Sequence, residues 1–342
     1  MTAAIEVVEL RKCFSSRQRA PGLQAAFREL FRPPRLQHVA VDGISFRIAR
    51  GERVAFVGPN GAGKSTSIKM LSGILHPTSG SAQVLGYTPW RERRQLAYRI
   101  GTVFGQRTQL WYHLPAADTF ALLARVYERD LSAHRRRLEA LIEALELGAE
   151  LHKPVRELSL GQRMRCEIVA SLLHDPDIVF LDEPTIGLDV SAKAAIRDVL
   201  REQSRSDGKT LLFTSHDTGD MESVCERAII LHQGRVLVDQ PLEVLRREHI
   251  RVKLLTLHTV EAECSVDLPG IIVLSRQPHR LELEVDLSRL HVEQVVQHVM
   301  ARARLQDLTV SDPPMEQIIR EIYGRASRAA EAASNAGVGA SP

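Results

Sequence analysis

The chain has 342 residues, of which 44% are hydrophobic and 25% are charged, and its formal net charge is +3 at pH 7. This composition is typical of a globular protein with one large domain or two of moderate size, and the small net charge gives no reason to expect nucleic acid as a partner. No run approaches the roughly 18 apolar residues that span a bilayer, and the N-terminus has no signal-peptide pattern. The four cysteines lack metal-ligand spacing. We therefore expect reduced cysteines and a cytosolic protein.

The N-terminal part of the chain combines a strand with a basic segment. The stretch IEVVEL at 5–10 alternates as a half-buried strand does. Residues 15–38 are basic and punctuated by prolines, which favours an inserted segment. One helical face of that segment carries four apolar residues, Leu23, Phe27, Leu30 and Phe31. We favour a surface helix packed on its own domain over a helix that touches a membrane surface or a partner.

Three apolar runs predict buried strands of one sheet. They are RVAFV at 53–57, DIVFLDE at 177–183 and TLLFTSH at 210–216. Between the first two, the stretch 119–147 has the apolar spacing of helices. Strands separated by helices indicate an α/β fold with a largely parallel sheet.

The stretch GPNGAGKST at 58–66 fits the phosphate-loop pattern G-x-x-x-x-G-K-[ST]. It follows a predicted strand and precedes a predicted helix, as the chemistry requires. Glycines let successive backbone N–H groups point at phosphate oxygens, and the helix N-terminus adds a favourable dipole. We expect Lys64 to reach the β- and γ-phosphates and Ser65 to ligate Mg²⁺. A chance match in a chain of this length has odds of roughly one in a hundred.

An acidic pair ends the second apolar run, in IVFLDEP. By itself such a pair is usually a solvated strand end. Downstream of a phosphate loop, we expect Asp182 to hold Mg²⁺, often through water, and Glu183 to polarise the attacking water.

The stretch LSLGQRMR at 158–165 opens another predicted helix. Ser159 is a candidate N-cap, and Gln162 stands three residues later, as in a capping box. Capping does not account for Gly161, because glycine weakens a helix interior. A glycine at a helix N-terminus lets backbone N–H groups approach an anion closely, so this stretch is a second candidate phosphate surface. A nucleotide held between the two surfaces of different subunits would join those subunits.

After Pro241 the pattern changes. RVKLLTL and LELEVDL are typical of strands, whereas HVEQVVQHVM and PMEQIIREIY are typical of helices. The last stretch, GRASRAAEAASNAGVGASP, is small and polar, and we expect it to be disordered.

Residues 5–240 resemble an ATP-binding subunit of the ABC transporter family, because several motifs occur in the family's order. GPNGAGKST matches the Walker A motif, LSLGQ the signature motif and IVFLDEP the Walker B strand. GLD at 187–189 matches the D-loop, and FTSHD contains the switch histidine, His216. RIGTVFGQ resembles the Q-loop approach and ends at Gln106, and LRKCF resembles the aromatic A-loop, which would put Phe14 against adenine. VFGQRTQLWYHLP resembles the ABC-2-type exporter branch, which includes drug-resistance ATPases.

The resemblance implies an α/β P-loop NTPase with a RecA-like core, an N-terminal β subdomain and a helical signature subdomain at about 107–175. We expect this ATP-binding domain over 1–243, a small C-terminal α/β accessory domain over 244–324 and a disordered tail over 325–342. Two ATP-binding subunits, as a homodimer or a heterodimer, would close head-to-tail on two ATP molecules and act on a separate permease at the cytoplasmic face of the membrane. A docking permease helix would lie beside 107–115, where Trp111 and Tyr112 either anchor it or belong to the core.

The resemblance also assigns site residues. The nucleotide contacts would be Phe14, Gly58, Pro59, Asn60, Gly61, Ala62, Gly63, Lys64, Ser65, Thr66, Gln106, Ser159, Gly161, Gln162 and Asp189. The catalytic residues would be Glu183, His216 and Lys64, and the Mg²⁺ ligands would be Ser65, Gln106 and Asp182. Leu160 replaces a glycine of the commoner LSGGQ, and either Gln106 or Gln109 could be the Q-loop glutamine, of which we choose Gln106.

Two other functions remain open at this point. An import ATPase with a regulatory C-terminal domain would share the same motifs. A soluble ABC ATPase acting on nucleic acid or the ribosome would account for the basic groups at 91–94 and 135–137, but acidic neighbours favour solvated helix faces there. The resemblance to the ABC-2-type exporter branch implies an exporter, and we expect its substrate to be a drug, a lipid or a polysaccharide-like molecule.

Overall fold

The computed structural model describes residues 3–17, 35–105, 108–215 and 217–338. The chain divides into two compact units, 1–242 and 243–342, which are described separately below. Over the described ranges, no helix combines the length and apolar content needed to cross a membrane.

A mainly parallel sheet forms the centre of the first unit. Its strands are β3 (Arg53–Val57), β5 (Ile100–Phe104), β6 (Ile178–Asp182), β7 (Thr210–Thr214), β8 (Arg227–His232) and β9 (Arg235–Pro241). They lie in the order β5-β6-β7-β3-β8-β9, and β9 runs antiparallel to β8. Every residue of β6 and β7 is buried, which explains their unbroken apolar sequence. The three strands expected from the apolar runs are therefore confirmed.

A second, antiparallel sheet comes from the N-terminal region. It joins β2 (Arg35–Ala49), β1 (Ala3–Arg17) and β4 (Ser79–Val84) in that order. Pairing of β1 with β2 continues from Ala3↔Ala49 to Arg17↔Arg35. Both ends of the expected insertion at 15–38 thus belong to a strand pair. The sequence did not predict this pairing because backbone hydrogen bonds do not require an apolar side-chain pattern. The expected helical face at 23–31 lies outside the described residues.

Helices cover the central sheet and fill the stretch between β5 and β6. They are α1 (Lys64–Leu71), α2 (Arg93–Ala97), α3 (Ala116–Val126), α4 (Leu131–Ala144), α5 (Leu160–Leu172), α6 (Val190–Asp207) and α7 (Thr218–Val224). Asp130 caps α4 by accepting from the N–H of Ala133 at 2.8 Å. Gly208 ends α6 in the left-handed conformation, with φ of 63°.

The second unit is a small antiparallel sheet with helices. After α8 (Leu242–His249), its strands are β10 (Val252–Thr259), β11 (Ile271–Gln277), β12 (Arg280–Asp286) and β13 (Leu305–Ser311), in the order β11-β12-β10-β13. Alternate residues of β10 and β12, such as Leu257 and Leu283, are fully buried. They pack with Val295 and Val299 of α9 (Val292–Met300), which lie four residues apart on one helical face.

The C-terminal tail differs from the expectation of disorder. Helix α10 extends from Met315 to Val338 and includes the part of 325–342 that the structure describes. Its first two turns bury Met315, Ile318, Ile319 and Ile322. A packed first segment supplies the nucleus of the helix, and alanine, which has the highest helix propensity, allows the helix to propagate. Composition alone pointed to disorder because it neglects this nucleation.

All four cysteines have free thiols, and Cys166, Cys225 and Cys264 are buried. Burial raises the pKa of Cys166 to about 12, so its thiol stays protonated near neutral pH.

Leu283 tests the core of the second unit. Leu283→Ala should lower the free energy of unfolding of this unit by about 2–5 kcal/mol, because it removes a fully buried side chain and leaves a cavity. Leu274→Ala on β11 is the matched control, since that leucine is 52% exposed and its loss should change stability by less than about 0.5 kcal/mol. Urea titration of the full chain measures both, and equal effects would contradict the assignment of this core.

Candidate nucleotide site

The phosphate loop connects β3 to α1, and two of its glycines are required by close packing. A Cβ on Gly58 would lie 2.8 Å from both the Ala62 Cβ and the Leu231 carbonyl oxygen. Gly63 has φ of 100°, and a Cβ there would lie 2.6 Å from the Ala40 carbonyl oxygen. Side chains at these positions would therefore displace the backbone that forms the loop.

Lys64 lies inside the loop that precedes it. Its ammonium donates to the carbonyl oxygens of Gly58, at 2.6 Å, and Pro59, at 3.2 Å. Burial lowers the pKa of Lys64, while the carboxylates of Glu183 and Asp182 oppose that shift by favouring the ammonium. A cation held here among loop carbonyls is available to phosphate oxygens.

Asp182 joins the loop to the ends of two neighbouring strands. Its Oδ1 accepts hydrogen bonds from Ser65 Oγ at 3.0 Å and from Thr214 Oγ1 at 2.9 Å. The carboxyl ends of the parallel strands β6 and β7 meet at this edge, next to the first turn of α1. A carboxylate and a hydroxyl oxygen in contact are the kind of hard ligands that Mg²⁺ prefers. The residues present therefore fit such an ion.

Glu183 follows in a conformation that is rare for a non-glycine residue. Its φ is 56°, and its N–H donates to Thr214 Oγ1 at 2.9 Å. The strained backbone turns the chain sharply after β6, and such strain is common at functional sites. Thr214 thus orients both acidic residues. The sequence alone did not predict a role for the Thr214 hydroxyl. A polar residue at the end of the apolar run TLLFT could have indicated one, because parallel core strands end at the same edge of a sheet as IVFLDEP.

Strand β5 ends against the same acidic pair. The N–H of Gly105 donates to the Asp182 carbonyl at 2.9 Å, and a Cβ on Gly105 would lie 2.7 Å from the Glu183 carbonyl oxygen. Gln106 and His216 both lie outside the described residues. The alternative Q-loop residue, Gln109, donates its side-chain amide to the Glu167 carbonyl at 3.3 Å.

The second candidate surface is at the start of α5. Ser159 Oγ accepts from the N–H of Gln162 at 3.2 Å, and Gln162 Oε1 accepts from the N–H of Ser159 at 2.9 Å. The predicted capping box is confirmed. A Cβ built on Gly161 would meet Ala192 and Asp189 only at ordinary contact distances of 3.4 and 3.8 Å. These neighbours therefore do not require a glycine at this position.

Two other expected contact residues have local partners in this chain. Asp189 caps α6 by accepting from the N–H of Ala192 at 2.8 Å. Phe14 lies on β1 opposite His38, its side chain is 40% exposed, and the Lys12 ammonium lies 5.2 Å from the ring centroid. Phe14 is therefore not a core residue. Of the other loop residues, Asn60 and Gly61 are exposed, whereas Ala62 is buried and Thr66 partly so.

The sequence and the fold are similar to those of known proteins. The family model described as ABC transporter matches residues 41–186. A linearmycin resistance ATP-binding protein of Bacillus subtilis (strain 168) is 30% identical over 296 residues, which cover 84% of this chain and 94% of that protein. A daunorubicin resistance ATP-binding protein of Streptomyces coeruleorubidus is 34% identical over 209 residues, covering 61% of this chain and 66% of that protein.

Among solved structures, a dimeric ATP-binding cassette in a post-hydrolysis state, bound to ADP and phosphate, has a TM-score of 0.59 and 25% identity. The alignment covers 70% of this chain and 98% of that cassette.

Ser159 tests the capping box independently of any ligand. Ser159→Ala should lower the free energy of unfolding by about 1 kcal/mol, because the N–H of Gln162 loses its acceptor. Ser159→Asn is the matched control, since asparagine caps helices as well as serine does. Urea titration of the full chain compares the three proteins, and wild-type stability in Ser159→Ala would mean that the cap does not stabilise α5.

Proposed function

This chain belongs to the ATP-binding proteins of ABC transporters, and from that premise we propose that it hydrolyses ATP to drive export through a separate permease. It is an ABC-type ATPase with the P-loop fold of that family. The observation that supports the proposed site best is the contact of Ser65 and Thr214 with the Asp182 carboxylate. That contact brings the phosphate loop and the acidic strand end together, as hydrolysis of a nucleoside triphosphate requires.

Within one subunit, we propose that the loop from Gly58 to Thr66 surrounds the phosphates and that Lys64 neutralises their charge. Ser65 and Asp182 would hold Mg²⁺, together with Gln106. The ion, when bound, supplies positive charge to the phosphate oxygens. Phe14, with its exposed ring, would stack on adenine.

The proposed general base is Glu183. Its left-handed backbone and its bond to Thr214 hold it directly after the buried Asp182, at the edge where the γ-phosphate would lie. We propose that His216 positions the γ-phosphate. Phosphoryl transfer depends mainly on such positioning and on charge neutralisation.

A second subunit would complete the site. Ser159 is exposed at the N-terminus of α5, and Gly161 is partly exposed in its first turn. Because Ala192 and Asp189 permit a side chain at Gly161, a close approach from another molecule is the remaining physical reason for this glycine. We propose that Ser159, Gly161 and Gln162 face the γ-phosphate held by a second subunit, with Asp189 beside them. The solved cassette that resembles this chain is itself dimeric.

Glu183→Gln separates binding from hydrolysis. The amide cannot accept the proton of the attacking water, so kcat for ATP hydrolysis should fall by at least about 100-fold. Nucleotide affinity, measured by titration with a fluorescent ATP analogue, should stay within about twofold because the charge lost lies outside the phosphate loop. The variant should also accumulate an ATP-dependent dimer, visible by light scattering.

Glu146→Gln provides the matched control, because this exposed glutamate has almost the same backbone φ, 51°, outside the site. It should keep wild-type turnover. Near-normal hydrolysis in Glu183→Gln would show that Glu183 is not the general base. If Glu183→Gln binds ATP yet stays monomeric, that result would argue against a site shared between two subunits.

The names of the relatives support a proposal for the type of transport. The matched proteins are named for linearmycin and daunorubicin resistance, and another is a Nod factor export protein of Ralstonia nicotianae. We propose that this chain serves an exporter of a drug, a lipid or a polysaccharide-like substrate. It would be peripheral at the cytoplasmic face of the membrane, held there by its permease.

An aromatic patch on the helical part of the first unit is the proposed permease contact. It consists of Trp111, Tyr112 and Leu114, which are 48, 49 and 40% exposed. These rings are therefore not core residues, and exposed aromatic anchors are typical of binding surfaces. The patch follows the end of β5, which contacts the acidic pair.

Trp111→Ala tests this contact. Loss of a central aromatic anchor should reduce the amount of membrane protein that co-purifies with the chain by at least about tenfold, while ATP hydrolysis by the purified chain stays unchanged. Leu131→Ala is the control, since that side chain is 69% exposed and lies outside the patch. Quantitative mass spectrometry of the purified complexes is the measurement. Full co-purification and full transport coupling in Trp111→Ala would show that the aromatic patch is not the permease contact.

A further inference from the structure

Glu167 is a buried acidic residue on the inner face of α5. It is 4% exposed, and it lies about two helical turns after the capping serine. Burial raises the pKa of Glu167, whereas hydrogen bonds from Thr108, Gln109 and Leu110 oppose that shift. A buried carboxylate costs free energy unless it is hydrogen-bonded, so a helix that needed only packing would carry an apolar residue here.

Within the described residues, the hydrogen bonds to the Glu167 carboxylate come from one short piece of chain. Its carboxylate accepts from the Thr108 hydroxyl and from the Gln109 N–H, at 3.2 and 3.3 Å for its two oxygens. Its backbone carbonyl accepts from the Gln109 side-chain amide at 3.3 Å. The Leu110 N–H also donates to Thr108 Oγ1, at 3.1 Å. Thr108 and Gln109 are thus fastened to Glu167 of α5, and we name residues 108–111, which include them, the linking segment.

The linking segment lies between two parts of the proposed machinery. Before it, Gly105 donates to the carbonyl of Asp182, at the acidic end of β6. Its last residue, Trp111, donates its N–H to the buried Thr119 hydroxyl of α3 at 3.2 Å and exposes its ring in the aromatic patch. A displacement of the chain after Gly105 therefore reaches α5 and the patch through the same few hydrogen bonds.

We propose that Glu167 is a positioning residue that fastens the linking segment to α5, so that the nucleotide site, the capped N-terminus of α5 and the aromatic patch move together. This inference rests on the proposed function, because it requires α5 to act on ATP. Glu167 touches no nucleotide in this scheme. It acts by holding the chain that follows β5 against the helix that begins with Ser159.

Three variants of the full chain test the proposal. Glu167→Ala removes the acceptor, Thr108→Val removes the hydroxyl donor, and Glu167→Gln keeps one acceptor oxygen but introduces a donor. An unsatisfied buried donor costs about 1–3 kcal/mol, and 1.4 kcal/mol is about tenfold. We therefore expect amide hydrogen exchange at Gln109 and Leu110 to speed up by about 5- to 150-fold in Glu167→Ala. Glu167→Gln should have a smaller effect, and Thr108→Val should act mainly on Leu110, whose N–H loses its acceptor.

The catalytic readout separates a positioning role from a structural one. In Glu167→Ala, kcat for ATP hydrolysis should fall about tenfold or more while KM for ATP stays within about twofold, and Glu167→Gln should restore part of kcat. Ser171→Ala is the matched control, because this serine is similarly buried on α5 and its hydroxyl donates to the Ile168 carbonyl of the same helix. It should leave kcat and the exchange of the linking segment unchanged.

Either of two results would overturn the proposal. One is unchanged exchange of the Gln109 and Leu110 amides in Glu167→Ala or, should that variant not fold, in Thr108→Val and Glu167→Gln. The other is wild-type kcat in folded variants whose linking segment has become mobile. Absence of ATP hydrolysis in the wild-type chain would instead overturn the proposed function, and the exchange measurement would still decide whether Glu167 holds the segment.

Discussion

The buried carboxylate of Asp182 is the interaction on which the arrangement of the site depends. It accepts hydroxyl hydrogen bonds from Ser65 and Thr214, and its backbone carbonyl accepts from Gly105. One residue therefore joins the first turn of α1 to the ends of β5, β6 and β7. A carboxylate that is 9% exposed is tolerated only where such donors and a nearby cation compensate for lost water, and Lys64 is that cation. The same hydrogen bonds to Asp182 therefore stabilise this end of the sheet and hold the carboxylate in position for its proposed role.

Two tight backbone turns lie next to that carboxylate. Gly63 before α1 and Glu183 after β6 both have positive φ, and Gly58 packs too closely for any side chain. Tight turns of this kind are stable only when the surrounding sheet holds both ends, as the fully buried β6 and β7 do. The central sheet thus holds both ends of the turns that form the proposed phosphate site.

The start of α5 obeys a different constraint, because it satisfies its own backbone groups. The capping box of Ser159 and Gln162 makes this helix end stable without a ligand, while Gln162 also donates to Glu150 at 2.9 Å. Further along the same helix, Glu167 accepts from the chain that follows β5. A single helix therefore carries an exposed, capped end, which we propose for the partner's nucleotide, and a buried contact to the chain that follows β5. In a transport ATPase, such a helix can report occupancy of one site to the other.

The sequence by itself determined the features that depend on neighbouring residues: the phosphate loop, the capping box, the apolar strands of the central sheet and the alternating strands of the second unit. Local periodicity and backbone chemistry suffice for these. Only the tertiary structure decided that Thr214 orients both acidic residues, that Trp111 is exposed and that Glu167 binds the linking segment. The helical conformation of 325–338 belongs with these, because a packed segment upstream nucleates it. The contacts of Thr214 and Glu167 join residues that are 32 and 59 positions apart, so they exist only after strands and helices have packed, and the exposure of Trp111 is likewise set by that packing.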